Sequence, residues 1–276
     1  MGIKLIALDL DGTTLKKNHL SMSARNRQAI TDALQNGITV VPATGRYLSG
    51  MPSPITKLPG IRYVITSNGA CITDIGSGTQ IYSNPIPEAK ALQILDRTKA
   101  RNIYTEVYCE GRAYAENRKK PAFIRKNLFF LILSILRKCE KVADLSAFIR
   151  DNGKPVEKIE VFADDAETRK ELEMELCSLN VSVTTSGMNS VEITNFNANK
   201  GSALEFLCRH LQVGQEEIMA IGDNCNDIEM LIWSGLAVAV ENADSALKQI
   251  ADFVTLSSEK DGVAYAIKRF ALDSKT

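Results

Sequence analysis

The chain has 276 residues, 45% of them hydrophobic and 24% charged, enough to bury one large core or a core with a smaller companion domain. Lysine plus arginine and aspartate plus glutamate each total 33, so no net field draws nucleic acid or an anionic membrane, and any anion must be held locally. Six scattered cysteines form no C-x-x-C pair, none is followed by arginine six positions on, and the histidines are His19 and His210 alone. That pattern argues for reduced thiols and against a zinc centre, a cysteine-dependent phosphatase or a Ser-His-Asp triad.

Residues 1–10 run straight into a strand, without the basic, apolar and small-residue blocks of a signal peptide, so a cytoplasmic location is expected. Residues 4–10 are the continuous apolar run of a strand buried on both faces in a parallel sheet. Ser23 is placed to cap a helix to about Asn36, with Gly37 as its stop. Strands at 38–43 and 63–67 complete a β-α-β-α-β pattern. From about 85 to 189 the texture shifts to amphipathic helices and alternating strands, such as 158–162. The apolar run 128–136 is far shorter than the roughly 20 residues that cross a bilayer. Strands at 217–222, 236–240 and 252–256 and helices at 227–234 and 262–270 restore the first rhythm. The expected fold class is α/β: a Rossmann-like doubly wound parallel sheet core, 1–84 and 190–276, carrying an inserted α+β domain at 85–189.

Open parallel sheets bind ligands beyond the carboxyl ends of their strands. The polar residues there are Asp9 and Asp11; Thr44, Gly45 and Arg46; Ser67 and Asn68; and Asp223 and Asn224. Asp9 and Asp11 both reach one crevice if the chain turns at Gly12, although a D-x-D alone is usually a solvated turn. The acids and amides from Asp223 to Asp227, with Asn226 between, supply hard oxygens suited to magnesium; helix capping is the plainer alternative. Lys200 opens an apolar-periodic helix, where a cation opposes the helix dipole. Thr44 and Arg46 offer donors to phosphate oxygens, or form a simple strand-to-helix loop.

The motifs D-L-D-G-T-T at 9–14, A-T-G-R at 43–46, S-N-G-A at 67–70, N-K-G at 199–201 and G-D-N-C-N-D at 222–227 together resemble the haloacid dehalogenase (HAD) superfamily. More narrowly they resemble its Cof-type phosphatases, which carry a large cap between the second and third motifs. Thr14 departs from the pattern, where leucine is common. The resemblance implies Asp9 as nucleophile, Asp11 as general acid and base, and Thr44 and Lys200 holding the transferring phosphoryl group, with Gly45, Arg46, Asn68 and Asn226 as further phosphate or substrate contacts. It implies Mg2+ at Asp9, the Asp11 carbonyl and Asp223, with Asn226 and Asp227 at or just behind the metal. The substrate would be a small phosphorylated metabolite, the protein a monomer or homodimer without nucleic-acid partners or stable membrane association. A phosphotransferase or mutase using the same aspartyl-phosphate is the rival activity, and a binding module without turnover a second.

In the insert, Arg118, Lys119, Lys120, Arg125, Lys126, Arg137, Lys138 and Lys141 flank 128–136. A packed cap helix with solvated basic flanks is the plain reading; an electropositive lip for phosphorylated substrates, a partner surface and a weak membrane contact are the sharper ones.

Overall fold

The computed structural model describes residues 2–101, 103–117, 139–185 and 190–273. The basic stretch 118–138 lies outside them, so the expectation placed on it is not addressed by the structure. Fourteen strands are present among the described residues: β1 (Leu5–Leu8), β2 (Thr39–Pro42), β3 (Tyr63–Thr66), β4 (Cys71–Asp74), β5 (Thr79–Ser83), β6 (Tyr104–Cys109), β7 (Arg112–Glu116), β8 (Glu140–Val142), β9 (Val156–Phe162), β10 (Val181–Thr185), β11 (Ser190–Asn195), β12 (Ile218–Gly222), β13 (Leu236–Ala239) and β14 (Phe253–Val254). No described helix is long and apolar enough to cross a membrane.

The chain divides into two compact units, the first formed by Met1–Gly45, Met51–Tyr82 and Asn199–Thr276, the second by Arg46–Gly50 and Ser83–Ala198. In the first, a parallel sheet has the order β14-β13-β12-β1-β2. Its central strands β1 and β12 are buried at every position, as their unbroken apolar sequences demand. Helix Ala24–Gln35, capped by the Ser23 hydroxyl accepting from the Asn26 amide at 3.0 Å, packs against helix Gly262–Ile267. The third strand departs from the parallel pattern. β3 touches β2's continuation through the single parallel bridge Ala43–Ile65, then pairs antiparallel with β4 in a separate β3-β4-β5 sheet. The turn Ser67–Gly69, in which all three residues have positive φ, sends the chain straight back and leaves no room for a crossover helix.

The second unit is a six-stranded sheet, β10-β11-β9-β6-β7-β8, antiparallel except for β7 with β8. Because β11 pairs with both β9 and β10, residues 190–198 belong with this sheet, not with the core to which the sequence pattern assigns them. One face carries Val107, Ile159, Val161, Val191 and Ile193 against Ile94, Ile149, Leu172 and Leu176 of its helices. β9 alternates in sequence, yet all seven of its residues are buried. Its polar face sets Glu160 in register with Glu106 of β6 and Glu192 of β11. Lys158 offsets that row of like charges, 2.7 Å from Glu192 and 3.5 Å from Glu160, with its ammonium 4.6 Å from the centre of the Tyr108 ring.

Candidate active site

β1 and β12 are neighbours, and the chain leaves β1 toward β2 on one side and β12 toward β13 on the other. Strand order reverses there, which opens a crevice beyond their carboxyl ends. The Asp9 amide donates to the Ile221 carbonyl at 2.9 Å and continues the ladder, so Asp9 stands one residue past β1 as Asp223 stands one past β12. At Gly12 the chain turns with φ +85°, and a Cβ there would lie 2.3 Å from Asp223 Oδ2. Only glycine satisfies both demands. The next two residues brace the acids: Thr13 Oγ1 donates to Asp223 Oδ1 at 2.7 Å, and Thr14 Oγ1 to the Asp9 carbonyl at 2.6 Å.

Lys200 is the first residue of helix Lys200–Leu211, whose cap, Asn199, exchanges side-chain hydrogen bonds with Ser202. The ammonium is fully buried and donates to Asp9 Oδ1 at 2.6 Å and to Asp227 Oδ1 at 2.7 Å. Those two carboxylates explain a cation that opposes the helix dipole. Asp227 uses its other oxygen as well, accepting from the amides of Asp223 at 3.0 Å and Asn224 at 3.1 Å. Asn226 Nδ2 donates to Asn68 Oδ1 at 3.1 Å, the Asn68 amide to the Thr44 carbonyl at 3.1 Å, and the Thr44 amide to the Ile65 carbonyl at 2.9 Å. Asp11, next to this group, has its Oδ1 2.6 Å from His19 Nδ1.

Three carboxylates thus cluster about one ammonium, which bonds two of them. Burial pushes the Asp9 carboxyl well up; Lys200 opposes the shift, and the charges of Asp227 and Asp223 add to it. Asp223 is pushed up to about 6, by burial first and Asp227 second. Burial alone would lower the Lys200 ammonium, but Asp227 and Asp9 outweigh it and hold it up. One oxygen from each of Asp9, Asp223 and Asp227 lies within 4.8 Å of the others, and Asp9 Oδ2 is buried with no hydrogen-bond partner among the described residues. This excess of hard oxygen charge in a desolvated crevice fits a small divalent cation.

The structure brings together Asp9, Lys200, Asp223 and Asp227, and links Asn226 to Asn68 and Asn68 to Thr44. Gly45 ends a stretch of the first unit, whereas Arg46 belongs to the second, its guanidinium donating to the Gly50 carbonyl at 3.2 Å. Thr13 and His19 received no role from the sequence. Thr13 had a signal, its fixed place two residues after Asp11; His19 had none.

A crevice of acids and one buried lysine at the switch point of a parallel sheet defines a class of phosphate-handling α/β enzymes. Residues 6–267 match the family described as haloacid dehalogenase-like hydrolase, and the chain belongs to that family. The phosphatase YwpJ of Bacillus subtilis (strain 168) is 31% identical, over 96% of this chain and 99% of its own. The 5-amino-6-(5-phospho-D-ribitylamino)uracil phosphatase YwtE of the same organism is also 31% identical, over 96% and 97%. A solved haloacid dehalogenase-like hydrolase from B. subtilis superposes with a TM-score of 0.86 at 28% identity, covering 97% of this chain and 99% of the other. The protein is a phosphatase of the HAD family.

Proposed function

We propose that the protein is a magnesium-dependent phosphatase that hydrolyses small phosphorylated metabolites, sugar phosphates or similar monoesters, through an aspartyl-phosphate on Asp9. The observation that carries this reading is the division of the Asp9 carboxylate: Oδ1 is fixed by Lys200 at 2.6 Å, while the buried Oδ2 has no hydrogen-bond partner among the described residues. Asp9 and Asp223, with the Asp11 carbonyl, would hold magnesium, which when bound supplies positive charge against the phosphate oxygens. Asp227, with both oxygens engaged, acts from behind by orienting Lys200 and the Asp223 loop.

Asp9 attacks phosphorus as the bond to the leaving oxygen breaks, and Asp11 gives that oxygen its proton. Water then attacks the same phosphorus, Asp11 takes a proton from it, and phosphate leaves with the Asp9 carboxylate restored. Lys200, Thr44 and Asn68 position the transferring group and offset its charge. The two Bacillus relatives, one a phosphatase for a phosphorylated ribityl compound, favour a polyhydroxylated phosphomonoester.

Asp9→Asn keeps the shape and loses the nucleophile. It should abolish phosphate release and the hydroxylamine-sensitive phosphoryl label that wild-type protein acquires on the peptide containing Asp9. Substantial turnover in that variant would refute the covalent route.

A further inference from the structure

Resting on the reading of Asp11 as the group that protonates the leaving oxygen, we propose that His19 is a positioning residue that holds the Asp11 carboxyl in its working orientation through the 2.6 Å Nδ1···Oδ1 contact. The loop that presents His19 is built for that placement. Its ends are joined by the antiparallel bridge Leu15–Met22, and within it the Lys16 amide donates to the Ser21 carbonyl at 2.9 Å and the His19 amide to the Lys16 carbonyl at 2.8 Å. Asn18 Oδ1 accepts from the amides of Leu20 and Ser21, each at 3.0 Å, and the Lys17 amide donates to Glu259 Oε1 at 2.9 Å. His19 sits among these bonds at φ +55°, in the left-handed region that histidine visits more readily than most residues.

Stability does not account for the contact. The two side chains are 35% and 33% exposed, and ion pairs or hydrogen bonds at that exposure add little to folding. What the contact fixes is one carboxyl oxygen of Asp11, which lies on an irregular turn between Asp9 and Gly12. A carboxyl that must donate a proton at one step and accept one at the next needs a partner able to reverse its own role. Imidazole does so by tautomer: Nδ1 accepts from a protonated Asp11 and donates to an ionised one.

The experiment compares two substrates by kcat/KM, which reports steps up to leaving-group departure and so excludes the later hydrolysis of the aspartyl-phosphate. A primary alkyl phosphate turned over by the wild type needs its leaving oxygen protonated; p-nitrophenyl phosphate, with a stable phenolate, does not. Two variants suited to positive φ separate the side chain from the loop: His19→Gly removes the contact, and His19→Asn keeps an amide at the Nδ1 position that donates or accepts by flipping. For His19→Gly we expect at least about a tenfold loss on the alkyl phosphate and less than about threefold on the aryl phosphate, with His19→Asn within about threefold on both. Equal losses on the two substrates, no loss on either, or Asn behaving like Gly overturns the proposal. Asp11→Asn in the same assay separates the two layers: a loss there that ignores the leaving group refutes Asp11 as its acid and takes both readings down. A selective loss with Asp11→Asn and none with His19→Gly refutes His19 alone.

Discussion

Gly69 lies in the turn after β3, far in sequence from the carboxylates, yet its replacement by alanine should damage the site more than the fold. At φ +90°, a Cβ on Gly69 would sit 2.1 Å from the Asn199 carbonyl oxygen and 2.8 Å from the Lys200 amide nitrogen. These are backbone atoms, so no rotamer change relieves the clash. Restoring ordinary contact moves the start of helix Lys200–Leu211, or the turn itself, by about 1 Å, a displacement on the scale that costs about 100-fold in rate at a positioned catalytic group. The Lys200 bonds of 2.6 and 2.7 Å to Asp9 and Asp227 would then lengthen out of the strong charge-assisted range. Left-handed alanine and overpacking together cost about 2–5 kcal/mol, which at about 2–4 °C per kcal/mol for a protein of this size lowers Tm by about 4–20 °C. The assay measures kcat/KM below the onset of melting, alongside denaturation of the same sample. A Gly69→Ala protein that melts within this range but keeps activity within about threefold of wild type would refute the link from the Ser67–Gly69 turn through Asn199 to Lys200.

Further consequences concern charge. Chelation should abolish phosphate release and magnesium restore it; full activity in metal-free protein would contradict the assignment of Asp9 and Asp223 as ligands. Asp223, held up at about 6 in the folded protein against an ordinary 3.8, keeps its proton where the unfolded chain has lost one. The folded state therefore binds more protons between those values, and metal-free stability should fall as pH rises from about 4 to about 6. Magnesium takes the proton's place, so its stabilisation should be small near the bottom of that window and full above it; thermal melts with a pH-independent magnesium shift would exclude this coupling. In the second unit, Lys158→Met leaves Glu160 and Glu192 buried without their cation and should cost about 3–5 kcal/mol, read by denaturant unfolding. A cost under about 1 kcal/mol would mean those carboxylates are protonated or solvated.

The sequence by itself determined the parts of this protein that rest on local physics. Four or five consecutive apolar residues fix β1 and β12 as strands buried on both faces. Ser23 announces its helix because a cap is a bond to a residue three positions on. Asp9, Asp223 and Gly12 were legible because they stand where a buried strand ends, the place at which an open parallel sheet exposes polar groups.

Tertiary structure decided the rest. Lys200 lies 191 positions from Asp9 and 27 from Asp227, so only the closure of the core unit shows why a lysine begins that helix. His19 meets Asp11 through a loop whose backbone bonds leave no periodic trace. The alternation along β9 indicates which residues share a face but not what lies over it, and only the fold shows that Lys158 and Glu160 are buried. β11 lies in the stretch that the sequence pattern assigns to the core, and its pairing with β9 and β10 places it in the second unit. Burial and strand pairing depend on residues remote along the chain, whereas strand, turn and cap signals are set by neighbours within a few positions.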